Sequence, residues 1–389
     1  MSEEKLVPKL RFSGFDDEWI IKKLNDVSDV NPKTRELPEK FVYIDLDSVN
    51  HGILTKFNQI TKNEAPSRAQ RCLNVNDILF QTVRPYQMNN LFFELYGGEY
   101  VASTGYAQIK SKIVPKFLYY YLHYNKFVNE VLNRCTGTSY PAINSNDLKK
   151  IKIKIPSSSN EQRLIGDLFY KLDQKIELLN DKYNYYQDFK KFLMQQIFTQ
   201  KLRFNFTDDW NYMNFSEIFK SVSTKKYQIK SADILDKGDF EVIDQGQDEI
   251  AGYFNDKTKL CQELPIIIYG DHTTFVKFRD KPFIVGADGV KLLIPKFNAN
   301  PKYLFYALEH FNIKPEGYKR HFSIIKKIKL PIPTLEEQNE ISEIFTYIDI
   351  KLKYTKIQLQ ETEEFKKGLL QQMFVVQLIL SLLQNKKHI

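Results

Sequence analysis

The sequence predicts an α+β fold: two small α/β domains joined by two long helices that form an antiparallel coiled coil, the whole arranged as a pseudo-two-fold internal repeat. Three observations carry this. The first is a repeat. Glu161-Gln162-Arg163-Leu164-Ile165 opens a run to Phe198, and Glu337-Gln338-Asn339-Glu340-Ile341 opens another to Phe374, at a constant shift of 176 positions without a gap. Within it Leu172-Asp173-Gln174-Lys175-Ile176 falls on Ile348-Asp349-Ile350-Lys351-Leu352, and Phe189-Lys190-Lys191 on Phe365-Lys366-Lys367. Similarity at a fixed offset over so long a stretch means that one structural unit is used twice.

The second observation is a narrow apolar stripe. Ile165, Phe169, Leu172, Ile176, Leu179, Tyr183, Tyr186, Leu193 and Ile197 follow steps of four and three, with Lys190 as the interruption. That is the spacing of a coiled-coil seam. In the second copy Ile341, Phe345, Ile348, Leu352, Leu359, Leu369 and Met373 hold the equivalent places, and Thr355, Thr362 and Lys366 are the polar ones. Ser158 and Thr334, each three residues before a Glu and just after a proline, predict a capping box at both helix starts. The third observation is that each helix follows a segment of short apolar runs broken by Asn, Pro and Gly, the pattern of strands and turns.

In chain order, the first domain covers 1–157. Leu10 to Trp19 leads into a short helical pattern ending near Val27; Phe41-Val42-Tyr43-Ile44 and Asp77-Ile78-Leu79-Phe80 read as strands; Pro115 to Leu132 reads as a helix. Residues 137–143 form a loop before the alternating strand Ile151-Lys152-Ile153-Lys154-Ile155. A helix over 158–199 follows. The second domain, 200–333, restarts the plan: Lys201-Leu202-Arg203-Phe204 copies Lys9-Leu10-Arg11-Phe12, and Asp208-Asp209-Trp210 echoes Asp16-Asp17-Glu18-Trp19. Its interior diverges from the first. The second helix covers 334–375 and a tail 376–389. Ends and helices repeat while the middles differ, as expected of two different readers on a common mount.

At 389 residues and 42% hydrophobic, the chain is long and apolar enough for more than one core. Cys72, Cys135 and Cys261 are odd in number and widely spaced, which fits a reducing cytoplasm and gives no zinc pattern. Met1-Ser2-Glu3-Glu4-Lys5 has no apolar run behind it, so neither a secretion signal nor a membrane partner is expected. The formal charge of +8 is uneven: the first helix is neutral, the second acidic, and the domains carry the excess of Lys and Arg. This points to a polyanion on the domains and protein partners on the helices.

The sequence resembles the specificity subunits of type I restriction–modification systems. The resemblance rests on the two Pro-to-Glu-Gln helix starts, the Phe-Lys-Lys-x-Leu-x-Gln-Gln-x-Phe helix ends and Gly137-Thr138-Ser139-Tyr140-Pro141-Ala142-Ile143. In the second domain the segments from Val242, from Tyr269 and from Gly286 are similar to family segments as well. The resemblance implies two target-recognition domains, each binding one half of a split site in double-stranded DNA, and two spacer helices that dock two methyltransferase subunits, with restriction subunits joining them. S-adenosylmethionine, ATP and magnesium would then belong to those partners, with no cofactor in this chain. The departure is the tail, where Val375 to Leu383 adds an apolar run beyond the usual helix end, too short to span a bilayer.

Reading DNA requires donors in loops on a basic surface: Arg for guanine edges, Asn or Gln for adenine, and Lys, Ser and Thr for phosphates. In the first domain the candidates are Arg68, Arg71, Gln81, Arg84, Gln87, Asn89, Arg134, Thr138, Ser139 and Tyr140. In the second they are Lys225, Lys226, Gln245, Gln247, His272, Thr273, Thr274, Lys277, Lys319 and Arg320. No catalytic or metal site is expected. The chain lacks a Gly-rich phosphate loop and any His-x-x-x-His pair, and Asn31-Pro32-Lys33 is not followed by the Pro-aromatic of an amino-methyltransferase site. Two other classes stand beside the DNA-specificity reading: a coiled-coil adaptor that binds protein only, and a methyltransferase or nuclease with an unrecognised site.

Overall fold

The computed structural model describes residues 4–286, 288–317 and 319–380. It divides into two compact units, residues 1–180 with 358–389, and residues 181–357. The division runs through both long helices, Ser159–Phe198 and Leu335–Phe374, so each unit holds one domain, the start of one helix and the end of the other.

In the first unit the two helix segments run antiparallel: Phe169 stacks on Phe374 with ring centroids 5.8 Å apart, and one turn further along Asp173 pairs with Lys366. The second unit repeats this, with Phe198 stacked on Phe345 at 6.3 Å and Lys190 2.9 Å from Asp349. Every seam position named from the sequence is buried or half-buried. The polar ones are provided for. Thr355 and Thr362 turn their hydroxyls onto the carbonyls of Lys351 and Gln358, one helical turn back, while the seam lysines meet aspartates. The sequence pattern succeeds because a coiled-coil seam depends only on local periodicity.

Each domain hangs on its helix start by the same clamp. Arg11 donates from Nε and a terminal nitrogen to the two oxygens of Glu161 at 2.7 and 2.8 Å, and Trp19 adds its indole N–H at 3.2 Å. In the second copy Arg203 binds Glu337 at 3.1 and 2.8 Å and Trp210 donates at 2.9 Å. The next residue is used alike. Gln162 donates to the Pro156 carbonyl and accepts from Val114 N–H, while Gln338 donates to Pro333 and accepts from Asn300 N–H. This corrects half of the expected capping box: the Thr334 hydroxyl does accept from Glu337 N–H, but both glutamates give their carboxylates to Arg and Trp of the domain. Asp173 and Asp349 extend the mount by accepting from Tyr120 and Tyr306 hydroxyls at 2.7 and 2.8 Å. At Gly166 the helix comes close to its domain: a Cβ there would stand 2.8 Å from Phe117 N.

The first domain contains two four-stranded sheets. One runs Leu91–Phe92, Ile78–Gln81, Tyr106–Ser111, Ser28–Val30; the other runs Asn58–Thr61, Lys40–Ile44, Tyr100–Ser103, Ala69–Cys72. The second domain reproduces the first sheet as Val276–Arg279, Ile266–Gly270, Val290–Pro295, Phe219–Val222. Its other sheet, Gly252–Phe254, Phe240–Ile243, Ile284–Gly286, Gln228–Ile229, keeps the central parallel pair but takes its last edge strand from a different place in the chain, and that strand runs parallel to its neighbour. Each domain also pairs an early strand with its last, Trp19–Lys23 with Lys152–Pro156 and Asn211–Asn214 with Lys329–Ile332.

Two local expectations are corrected. The helical pattern before Val27 is the strand Trp19–Lys23 followed by the single turn Leu24–Val27, because pairing with Lys152–Pro156 takes up the backbone. Pro115 to Leu132 is two helices, Pro115–Tyr121 and Asn125–Leu132. Residues 117–122 are all buried rather than periodically so, and the chain must turn for Phe127 and Val131 to reach the same core. In the tail, Val376–Leu380 is a strand antiparallel to Glu4–Pro8; residues 381–389 lie outside the described residues. Among the described residues no helix is long and apolar enough to cross a membrane.

Candidate nucleic-acid interface

In the first domain the candidate loops converge on the turn between Tyr100–Ser103 and Tyr106–Ser111, which links the two sheets. Thr104 N–H donates to the Arg68 carbonyl at 2.9 Å, and the Gly105 carbonyl accepts from Thr82 N–H at 3.0 Å and its hydroxyl at 2.7 Å. From Thr82 the chain is zipped to residues 136–143: Ile143 N–H donates to Thr82, Arg84 N–H to Pro141, and Ala142 bridges both Val83 and Thr136. Three segments remote in sequence therefore present one surface.

Arg84 and Tyr140 are its centre. The Arg84 backbone is left-handed, φ 54°, a conformation that costs a non-glycine residue energy and is held here by the bond to Pro141. Its guanidinium lies 4.2 Å from the Tyr140 ring centroid, and Tyr140 is itself 64% exposed. A guanidinium oriented by an aromatic face keeps its donor fork ready for a guanine edge or a phosphate. Gln87, Thr138 and Ser139 stand exposed around it, as does Tyr86, which the sequence reading missed; an aromatic beside Pro85 in a polar loop was the available signal. Arg68 is exposed, and Arg134 is exposed with Glu130 3.8 Å away. Arg71 sits in the strand Ala69–Cys72, half-buried, and burial pulls its guanidinium below its ordinary pKa.

Gln81 has another task. It is buried, its amide donating to the Val83 carbonyl and to Gln87 and accepting from Asn89 N–H, while Asn90 accepts from its backbone. Asn89 receives His51 N–H. These side chains hold the Arg84 loop in shape, which corrects the expectation that Gln81 is a free donor.

The second domain is organised by the same kind of internal bracket. The Gln245 amide donates to the Asp288 carbonyl at 3.2 Å and accepts His272 N–H at 3.1 Å, while the Thr273 hydroxyl donates to its backbone. Gln228 reaches the Asp288 carboxylate at 2.7 Å, which brings in the turn carrying exposed Lys225 and Lys226. Asp271 and His321, both buried, join the remaining loop: His321 N–H donates to the Asp271 carbonyl and its ring accepts Glu316 N–H. Gln247 and Arg320 are exposed on this assembly, and exposed Lys319 pairs with Glu316.

Three candidates here are scaffold. Gln245 is committed as described, and Thr274 is buried at φ 61° with its carbonyl accepting from Asn312. Lys277, in the strand Val276–Arg279, donates to the carbonyls of Asp244 and Asp248 and lies 3.6 Å from the Asp244 carboxylate. Burial lowers the pKa of its ammonium, and Asp244 opposes that only in part. Long strand side chains that reach back into a loop look, in sequence, like surface donors.

With this geometry in view, comparison with known proteins is direct. The family model described as "Type I restriction modification DNA specificity domain" matches residues 16–185 and again 207–364. A Methanocaldococcus jannaschii protein provisionally named the type I restriction enzyme MjaX specificity subunit is 23% identical over 95% of both chains. The MjaVIII specificity subunit of the same organism is 22% identical over 86% of this chain and 85% of its own. Among solved structures, a type I restriction–modification system S subunit from M. genitalium superposes with a TM-score of 0.68 at 18% identity, covering 95% of this chain and 99% of the other.

Proposed function

The chain belongs to the type I restriction–modification DNA specificity family, and from that premise we propose that its two domains each bind one half of a bipartite DNA site while the helices serve as spacer and as docking surface for two methyltransferase subunits. The observation that carries this is the contrast between mount and loops. Arg11, Trp19 and Glu161 recur as Arg203, Trp210 and Glu337 in nearly the same geometry, whereas the loops bracketed by Gln81 and by Gln245 share neither sequence nor hydrogen bonds. The two halves share the way the domains are held and differ in the surfaces they present.

In the first domain Arg84, stacked on Tyr140, is the base-reading donor; Gln87, Ser139 and Tyr86 are its neighbours, and Arg68 and Arg134 contact phosphates. In the second, Lys225, Lys226, Gln247 and Arg320 face the duplex, with His272 and Thr273 at its edge. The chain is non-catalytic and works in the cytoplasm. S-adenosylmethionine, ATP and magnesium are held by the methyltransferase and restriction subunits, and the target adenine is flipped out of the duplex into the methyltransferase. Along the helices Tyr347, Ile350 and Tyr354 are exposed where the first copy has Lys171, Gln174 and exposed Leu178, so the two docking faces share a plan rather than identical residues.

The test is binding of the full chain to mixed-sequence duplex as salt is varied, with S-adenosylmethionine present and products assayed for methyl groups. Steeply salt-dependent affinity without methyl transfer is expected. Absence of DNA affinity would favour a protein-only adaptor, and methyl transfer by the chain alone would refute a non-catalytic role.

A further inference from the structure

Beside the Arg84 surface, in the first unit, lies a cavity of about 420 Å³ whose chemistry the base-reading loops do not use. Its floor is aromatic: Tyr121, Tyr124, Phe127 and Phe374 are buried core residues. Its walls carry five cations, Lys126, Arg134, Lys150, Lys152 and Lys154, and one carboxylate, Glu130. Glu130 faces Arg134 at 3.8 Å, and Asp147, outside the lining, lies 3.4 Å from Lys150. Among the described residues, Lys126, Lys152 and Lys154 have no carboxylate partner. Lys154, half-buried with its ammonium 3.5 Å from the Val376 carbonyl, has its pKa lowered first by burial and then by the charge of Lys126. Like charges are gathered over a greasy floor with too few counter-charges of their own.

The second unit does not need this arrangement to fold. The strand Ile151-Lys152-Ile153-Lys154-Ile155-Pro156 corresponds to Ile328-Lys329-Leu330-Pro331-Ile332-Pro333, which pairs with its own first strand while carrying proline in place of Lys154. The cations are therefore not a requirement of the strand pair. They are also continuous with the reading surface: Arg134 lies two residues before Thr136, which is zipped through Ala142 to the Arg84 loop, and Lys150 follows the helix Ser145–Lys149 directly after that zipper.

We infer that this pocket is a phosphate-backbone site: Lys126, Lys150, Lys152 and Lys154 hold phosphates of the duplex beyond the bases read at the Arg84 loop, so the first domain's footprint is longer than its recognition sequence and longer on this side than that of the second domain. The inference rests on the DNA-reading function proposed above. Phosphate contacts add affinity without sequence information, and each releases counterions, so the signature of such a site is in the salt dependence.

The experiment uses the full chain and a duplex containing its recognition site, with K126Q/K150Q/K152Q as the variant and K329Q, at the corresponding strand of the second unit, as the control. All four lysines are exposed, and circular dichroism confirms that the variants are folded. The triple variant is expected to lower the slope of log K against log salt by about two to three, and to weaken binding roughly a hundredfold at 0.1 M salt, with the methylated sequence of the assembled complex unchanged. K329Q should change the slope by about one at most. An unchanged slope in a triple variant, where the parent chain binds with normal salt dependence, overturns this site and leaves the DNA-reading function standing. Loss of assembly with methyltransferase subunits at an unchanged slope also overturns it, in favour of an acidic protein segment. A parent chain without salt-dependent DNA affinity overturns both.

Discussion

Replacing Glu161 by Gln tests whether the repeated clamp is what holds the first domain on its helix. The carboxylate is fully buried and accepts three hydrogen bonds, two from Arg11 and one from Trp19. Glutamine keeps the volume but has one acceptor oxygen, and its amide N–H₂ must face the Arg11 donors. At least one charge-assisted bond is lost and the guanidinium, 12% exposed, keeps its charge without its counter-ion. Charge-assisted bonds contribute about 1.5–3 kcal/mol each and breaking a buried ion pair costs about 3–5 kcal/mol, so a loss of about 3–5 kcal/mol is expected. For a cooperative unit of roughly 200 residues this lowers the melting temperature by about 10 °C. The assay is supplied by the sequence, which has two tryptophans, Trp19 in one clamp and Trp210 in the other. In a W210F background the indole emission reports the first clamp alone, and E161Q/W210F is compared with W210F by thermal unfolding. A Trp19 transition that moves by less than about 2 °C would refute the clamp as a stabilising element.

Further expectations follow from the same geometry. K190M leaves Glu309, on the domain helix Pro301–His310, and Asp349, on the second long helix, without their ammonium. Burial already raises Glu309, and without Lys190 its folded pKa rises further above the unfolded one, so the penalty should be largest at neutral pH and shrink as pH falls through that folded value, as read by chemical denaturation between pH 4 and 7. Lys190 itself is raised by Glu309 and Asp349 against burial, so the parent protein should lose stability as pH climbs above about 10.5. R84A should weaken site binding by about 1–3 kcal/mol and relax sequence preference in one half-site only, and R84K should not restore it, because a lysine offers no planar fork. K277Q should weaken the other half-site while leaving the salt slope unchanged, since that ammonium braces the loop at residues 244–248 instead of meeting a phosphate; a slope reduced by about one would show the opposite.

The helices and their pairing were legible because a seam needs only local periodicity, and the fixed offset made the second copy a check on the first. The clamps were half legible. Arg11 and Trp19 stood out as residues copied across a changing offset, from 192 to 176, yet nothing in the sequence said that their partner was the buried Glu161 150 and 142 positions away. The strand segments were found where apolar runs were bounded by turn residues, but the different edge strands of the two domains left no local trace. The interface was legible as clusters and not as individual roles. Gln81 ends a strand and Arg84 follows it by three residues, and only the fold makes the first a buried brace and the second a presented donor. Lys277 shows the same limit: its ammonium donates to the main-chain carbonyls of Asp244 and Asp248, and a lysine so placed has the same sequence signature as one that meets a phosphate.

The most direct measurement is to map the adenines methylated in DNA exposed to the complex assembled with its methyltransferase subunits, first with this chain and then with residues 205–330 replaced by the same segment of another family member. Two short specified blocks separated by an unread gap of fixed length are expected from the spacer role proposed for the two 40-residue helices. The exchange should change one block and leave the other block and the gap as they were. Both blocks changing together, or neither changing, would contradict two domains that read independently on a common mount.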